Sequence, residues 1–470
     1  MRFAITEQDQ ELLRGITADG RVSPAATRRL RARVGAERAA WLLGVAALQS
    51  RAREKFGEGC WWVTARACRQ ATAWPVADLK ASWFAGRPVL DLCCGVGGDL
   101  MRLARRGDAW GVDGDAEVAA MAAINLGQSA PVGDAGVMLG DVLEPPSAWS
   151  AAGGRHSPGS GSTFVERIGD WEGVVSDRRI AGQPPAVHID PDRREADGRR
   201  TTDADRFSPA WPTVRRILSR SGDGLVKLAP ATKVETRVAS EGHRVWIAWG
   251  NTVREQVLLW GATIDRVAVR PGGCSAVILR SGEPPRWFHG DLGRESPPDA
   301  GRRDGERIGT WLVDPHAAIR AAGLTEAFVA SHGLRLIDGP AGFLALPRLD
   351  PPPGLGALAT VGRIEWLGQN DDRVLRRELR RRNARPMSVK VRGVRLDPAM
   401  LVRRYRRCGE TPVTLWIGRK RGETFAAITK LAISTPGITT PGGADVPPPP
   451  PARHSPTGRQ FPATGRPRPG

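Results

Sequence analysis

The stretch Val89-Leu90-Asp91-Leu92-Cys93-Cys94-Gly95-Val96-Gly97-Gly98, followed closely by Gly111-Val112-Asp113, constrains this chain more than any other. A short apolar run ends in an acid and a glycine-rich turn, and Asp99 to Arg106 then has the character of a helix. A second apolar run ends in another acid. Strand, tight turn, helix and second strand in that order open a doubly wound α/β domain, which holds a nucleoside at the carboxyl ends of its first two strands.

The residues around the turn separate the possible nucleosides. A dinucleotide fingerprint needs Gly-x-Gly-x-x-Gly. Gly95 and Gly97 fit its first two positions, but the third is Leu100. Asp99 at the helix start also disfavours a pyrophosphate, which seeks the positive end of a helix. The pattern favours S-adenosylmethionine. In a class I methyltransferase Asp91 lies under the methionine part of the cofactor, and Gly95 and Gly97 sit where a side chain would collide with it. Asp113, 22 residues after Asp91, takes both ribose hydroxyls. Gly140-Asp141-Val142 follows a third strand and places Asp141 near the adenine amino group.

With 470 residues the chain has room for about two or three domains. No apolar run reaches the roughly 18 to 20 residues needed to span a bilayer, and no membrane partner is expected. Glu7, Asp9, Glu11 and Arg14 exclude a signal peptide from the first residues, so a cytoplasmic protein is expected. The six cysteines form no Cys-x-x-Cys pair, and the seven histidines are scattered, so neither a disulfide frame nor a metal site is expected.

A formal charge of +19 calls for a polyanionic partner, and nucleic acid is the commonest. The charge is concentrated. Between Arg373 and Arg421 there are 17 Lys or Arg and three acids, Glu378, Asp397 and Glu410. Arg376 to Arg382 and Leu401 to Arg407 have helical spacing, whereas Ser388 to Val394 and Val413 to Ile417 read as strands. The segment is therefore expected to be a folded basic α/β module rather than a charged tail. Such a surface gives RNA or DNA affinity through phosphates without reading sequence.

Five regions follow: a helical segment over 1–85, with long alanine-rich helical spacing from Arg28 to Arg53; the methyltransferase domain over 86–290; a linker over 291–308; the basic α/β module over 309–432; and a proline-rich tail over 433–470, expected to be disordered. The seven strands expected in the second region are Val89–Cys93, Ala109–Asp113, Gly136–Leu139, Val187–Asp190, Leu225–Leu228, Arg244–Ala248 and Ala276–Leu279. Ala151 to Ser162 has linker composition.

The fourth strand ends in Asp190-Pro191-Asp192-Arg193-Arg194, where methyltransferases meet their acceptor. Amino-group methyltransferases place Asp or Asn, two prolines and an aromatic there. The acid and a prolyl carbonyl accept hydrogen bonds from the target amine. Here Asp190 and Pro191 remain, Asp192 replaces the second proline, and Arg193 replaces the aromatic. A guanidinium can stack on a base in its place, and Arg193 and Arg194 are candidates for gripping a substrate phosphate.

Over about residues 40 to 430 the chain resembles class I methyltransferases that carry a C-terminal THUMP-like domain, relatives of the trimethylguanosine synthases. The resemblance rests on Lys55-Phe56-Gly57, Gln70-Ala71-Thr72, Leu90 to Asp99, Asp190 to Arg194, Lys227-Leu228-Ala229-Pro230, Gly250 to Gln256 and Val313 to Leu324. Trp62-Val63-Thr64 is similar to the segment that folds over the cofactor in the synthases, which implies Thr64 as a further cofactor contact, although the family's proline is Ala65 here. The absent aromatic means that cap-guanosine chemistry is not implied. Uracil-C5 methyltransferases need a cysteine after the fifth strand, and Lys227 to Pro230 has none. The resemblance implies a Rossmann-like, seven-stranded domain with a small basic THUMP-like module, transferring methyl groups from S-adenosylmethionine to RNA. Two readings compete with it: a non-catalytic RNA-binding protein on a degenerate methyltransferase fold, and a methyltransferase with a protein or small-molecule acceptor.

Overall fold

The computed structural model describes residues 5–18, 23–142, 165–167, 185–193, 201–290 and 310–431, with the backbone alone for 17–18 and 165–167. Ala151 to Ser162, Arg194, the linker 291–308 and the tail 433–470 lie outside the described residues.

The first sheet is built from β1 (Val89–Leu92), β2 (Ala109–Asp113), β3 (Ala135–Leu139), β4 (Val165–Arg167), β5 (Ala186–Ile189), β6 (Asp223–Leu228), β7 (His243–Trp249), β8 (Thr252–Gly261), β9 (Cys274–Leu279) and β10 (Arg286–Gly290). These ten strands lie in the order β10-β9-β7-β8-β6-β5-β1-β2-β3-β4. From β3 to β6 every neighbouring pair is parallel. β1 is flanked by β2 on one side and β5 on the other. The connections therefore leave β1 in opposite directions, and a crevice opens over its carboxyl end.

Here the strand expectations need correcting. The sheet has ten strands rather than seven. One strand missing from the expected set is β8, which runs antiparallel between β6 and β7. Its first residues form a hairpin with β7, with Trp249 paired to Thr252. Gly250, at φ +57°, takes the first central position of the two-residue turn, where primed hairpin turns favour glycine. β9 instead pairs in parallel with the far side of β7.

Alternating residues of the central strands enter different cores, as a strand covered on both faces requires. Val89, Val137 and Leu225 pack with Val76, Leu100 and Ala119 on one face. Leu90, Val187 and Val226 pack with Trp211, Val214 and Leu218 on the other. The stretch Arg28 to Arg53 is not one helix. It breaks into Pro24–Val34, Ala36–Ala46 and Gln49–Phe56. Gly35, at φ +81°, ends the first of these with its N–H on the Arg31 carbonyl. The segment packs Leu42, Phe56 and Trp62 against Met101 and Met121, from the helices that follow β1 and β2.

The second sheet holds β11 (Trp311–Pro315), β12 (Arg335–Leu336), β13 (Leu344–Leu346), β14 (Ala359–Gln369), β15 (Ala384–Val391), β16 (Thr411–Lys420) and β17 (Glu423–Lys430), in the order β12-β13-β11-β14-β17-β16-β15. The basic segment is folded as expected, with helices at Asp372–Arg381 and Pro398–Tyr405. The two sheets share a core: Trp246, Ala276 and Phe288 pack with Val313, Ile319 and Phe328. Among the described residues no helix is long and apolar enough to cross a membrane.

Candidate active site

The crevice over β1 is a cleft of about 790 Å³. Its floor is the turn after β1, where Cys93 (φ +59°), Gly95 (φ +59°) and Gly97 (φ +87°) all take left-handed conformations. A Cβ added at Gly95 would meet nothing within 4 Å, because that position faces the open cleft. Gly97 does not line the cleft. A Cβ there would lie 3.7 Å from Ala122, so this glycine serves the close approach of the helix Ala116–Gln128. Gly98 lines the cleft instead.

Asp113 ends β2 at the rim of the cleft. Its Oδ2 accepts the Gly95 N–H at 2.8 Å and its Oδ1 accepts the Asp115 N–H at 3.0 Å. These two donors fix the carboxylate and leave one lone pair on each oxygen. Burial raises its pKa above the ordinary carboxylate value, opposed by the two backbone donors. Asp141 and Thr64 also line the cleft. Thr64 accepts the Ala67 N–H at 3.0 Å and so starts the helix Ala65–Gln70 over the opening. The Trp62 backbone before it is tied down by Asn125, which accepts the Trp62 N–H at 2.8 Å and donates to the carbonyls of Trp62 (2.8 Å) and Val96 (3.0 Å). Asn125 was not legible as a site residue, since it sits in the middle of a helix far along the chain.

Asp91 is below the floor rather than on it. It is 1 % exposed, and its Oδ1 lies 2.7 Å from Nδ1 of the fully buried His188. Its other oxygen has no hydrogen-bond partner. Burial raises its pKa. A proton on Nδ1 of His188 satisfies Asp91 and leaves Nε2 as an acceptor facing Lys80 Nζ at 3.3 Å.

Lys80 is the centre of a buried network that sequence reasoning missed. Its ammonium, 1 % exposed, lies 2.8 Å from Asp99 Oδ1 and 2.7 Å from Glu255 Oε1. Thr72 Oγ1 donates to the second Asp99 oxygen at 2.6 Å. Burial alone would raise Asp99, but the surrounding cationic groups, Lys80 first and then others including Lys227, together outweigh it and hold the carboxyl well below the usual range. Burial alone would likewise lower Lys80, and the two carboxylates raise it instead. Three elements distant in sequence meet here: the helix Trp74–Ser82, the turn after β1, and β8.

Asp190 and Pro191 line the cleft at the end of β5. Lys227, on the neighbouring β6, reaches Asp190 Oδ2 at 2.6 Å and Asp99 Oδ2 at 3.9 Å. Burial opposes its charge, yet Asp190 and Asp99 raise its pKa above the ordinary lysine value. Asp192 is bridged by Arg66 and accepts from Gln70 Nε2 at 3.3 Å, which clamps the helix over the cleft to the loop after β5. Arg193 lines the same end of the cleft. Glu255 lines the cleft and pairs with Lys80. Among the described residues no group of His, Cys, Asp and Glu is arranged to hold a metal ion.

The fold and cleft define the class: a doubly wound α/β domain with one cleft over the carboxyl end of β1, reaching from Asp113 to Asp190. No family model matches the chain. It is 33 % identical over 411 residues to a protein named as an uncharacterized S-adenosylmethionine-dependent methyltransferase in Mycobacterium tuberculosis, strain ATCC 25618 / H37Rv, and equally to one of the same description in strain CDC 1551 / Oshkosh. The match covers 85 % of this chain and 98 % of each relative. The crystal structure of a putative methyltransferase from Porphyromonas gingivalis W83 superposes with a TM-score of 0.68 over 91 % of this chain and all of that one, at 17 % identity, a likeness of fold.

The chain belongs to the family of S-adenosylmethionine-dependent methyltransferases. S-adenosylmethionine is its cofactor, and the residues fit it. The open face of Gly95 admits close contact with the backbone, and Asp113 keeps free lone pairs for a diol. The cofactor supplies a methyl group already activated on a sulfonium.

Proposed function

We propose that this methyltransferase transfers its methyl group to RNA. The observation that carries the proposal is the surface of the second sheet's basic segment. The helix Asp372–Arg381 buries Leu375 and Leu379 and exposes Arg373, Arg377, Arg380 and Arg381. The helix Pro398–Tyr405 buries Leu401 and Tyr405 and exposes Arg403 and Arg404, with Arg406 and Arg407 exposed just beyond it. The nearby acids are already taken: Asp372 by Arg376, Arg404 and the Tyr405 hydroxyl, and Glu378 by Arg381 and Arg382. Arg373, Arg380, Arg403, Arg406 and Arg407 are left without a carboxylate partner among the described residues. A folded surface with surplus guanidinium groups suits a phosphate backbone. We read residues 309–432 as the THUMP-like module that presents the RNA.

In the cleft, Gly95, Asp113, Asp141 and Thr64 hold the cofactor. Gly97 and Asp91 act from beneath, the first by shaping the turn and the second through His188. Asp190 and the Pro191 carbonyl accept hydrogen bonds from the acceptor, and Arg193 contacts the substrate. Transfer from a sulfonium to an amine needs little acid–base help, so positioning supplies most of the rate. Lys227 suits Asp190 to this task by occupying one of its oxygens.

The test is transfer of labelled methyl from S-adenosylmethionine to deproteinised total RNA, with Asp190→Ala as the control. Label that appears in RNA with the wild type and vanishes with the variant supports the proposal. Label in protein or small molecules instead, or cofactor binding without any transfer, sinks it.

A further inference from the structure

The cleft is divided by charge. At the nucleoside end its lining acids are Asp113, Asp115, Glu117 and Asp141. At the Asp190 end it is lined by Lys55, Arg66, Arg69, Arg193, Lys227 and Arg254. Three of these six are already engaged. Lys227 is paired with Asp190, Arg66 with Asp192, and Lys55 donates to the carbonyls of Arg69 and Ala71. The acids of this end are engaged as well: Asp190 and Asp192 in those pairs, and Asp99 and Glu255 on Lys80. Arg69, Arg193 and Arg254 line the cleft with no carboxylate partner among the described residues.

From this imbalance we infer that the acceptor end of the cleft is a phosphate-binding subsite, which grips a phosphate of the acceptor beside the atom that is methylated. The inference rests on the RNA reading for the source of that phosphate and on the cleft alone for its chemistry. Guanidinium groups match phosphate oxygens in a bidentate fork. Arg193 follows the same strand end as Asp190. Arg254 is on β8, whose Gln256 is paired with Leu228 directly after Lys227. One arginine thus comes from the loop after β5 and the other from β8, both beside the residues that hold Asp190.

The experiment is calorimetric titration of the full chain saturated with S-adenosylhomocysteine, so that the nucleoside end is filled. The probes are uridine 5′-monophosphate, uridine and hexauridylate. We expect the monophosphate to bind at least about tenfold more tightly than uridine, and Arg193→Gln and Arg254→Gln each to weaken it by about tenfold, the scale of a charge-assisted contact. Affinity for S-adenosylhomocysteine should stay unchanged in both variants. Hexauridylate that loses the same factor in the variants assigns the phosphate to an RNA strand. Hexauridylate indifferent to them, with the monophosphate still sensitive, assigns it to a free phosphorylated molecule. The subsite stands in both cases. Equal binding of uridine and its monophosphate, or monophosphate binding that ignores both substitutions, overturns it. So does loss of S-adenosylhomocysteine affinity in the variants, which would give these arginines to the cofactor's carboxylate. Failure of methyl transfer to total RNA with monophosphate binding intact would remove the RNA reading alone.

Discussion

The Nζ of Lys227 lies 2.6 Å from Oδ2 of Asp190, and Asp190 directly follows β5 while Lys227 lies on the adjacent parallel β6, each one residue beyond the paired Ile189 and Val226. The lysine is buried and the aspartate opens on the cleft. One carboxylate oxygen is thus committed to the protein, and the other is available to an acceptor. Lys227→Met should lower methyl transfer by about 100-fold, the order of a lost charge-assisted contact in a buried site. Cofactor affinity should change less than about threefold, because Lys227 belongs to the acceptor end. Lys227→Arg should recover part of the loss. Steady-state rates and cofactor titration of the three proteins would check this, and equal losses in the Met and Arg variants would contradict a positioning role.

Lys80 tests the buried network. Removing one partner of a buried ion pair leaves the other charge uncompensated and costs about 3–5 kcal/mol. Lys80→Met removes the ammonium that both Asp99 and Glu255 contact and leaves only Lys227, 3.9 Å from Asp99, to offset two buried carboxylates. Urea unfolding should show a loss of that order. The double change Lys80→Met with Glu255→Gln should be less destabilising than the single one, since a surplus carboxylate is removed.

At the cofactor end, Asp113→Ala should lower affinity for S-adenosylmethionine by more than about tenfold, with a further contribution from the freed Gly95 N–H. Gly95→Val adds a side chain to open space but at φ +59°, where a β-branched residue is strained by about 1–3 kcal/mol. It should fold with reduced stability and fail to bind the cofactor. Calorimetry on both variants reads the affinity, and thermal unfolding reads the strain.

His316 gives a pH dependence. Its Nδ1 accepts the Ala318 N–H at 3.2 Å and its Nε2 faces the Gly250 carbonyl at 2.9 Å, so only the neutral ring with its proton on Nε2 satisfies both. Burial lowers its pKa from 6.5 to about 4. The unfolded chain therefore binds the proton first as pH falls. The stability from this group is complete above about pH 6.5 and is lost progressively down to about pH 4, by roughly 3 kcal/mol at full protonation. His243, also lowered by burial to about 4, loses stability over the same range. Denaturant unfolding at pH 7 and pH 4.5 should show the fall, and His316→Asn should flatten it. An unchanged slope in that variant would remove His316 as a cause.

The local pattern of the chain determined a good deal by itself. An apolar run, an acid and glycines in succession dictate a strand and a turn, because few other backbones satisfy both burial and left-handed dihedrals. β1, β2 and the turn between β1 and its helix were readable for that reason, as were the strands and helices of the basic segment. Asp113, Asp141, Asp190 and Arg193 were placed at strand ends from the sequence, and the structure brings all four to one cleft.

Only the tertiary structure decided the rest. The insertion of β8 between β6 and β7 depends on pairing between segments that no local pattern specifies, and it carries Glu255 to Lys80. His188 looked like part of an apolar strand, yet packing turns it to Asp91 and makes that acid a buried support rather than part of the cleft wall. Lys80 sat in an unremarked helix before the first strand. Its importance arises because a charge excluded from water must find opposite charges, and folding supplies them from 19 and 175 residues away in Asp99 and Glu255.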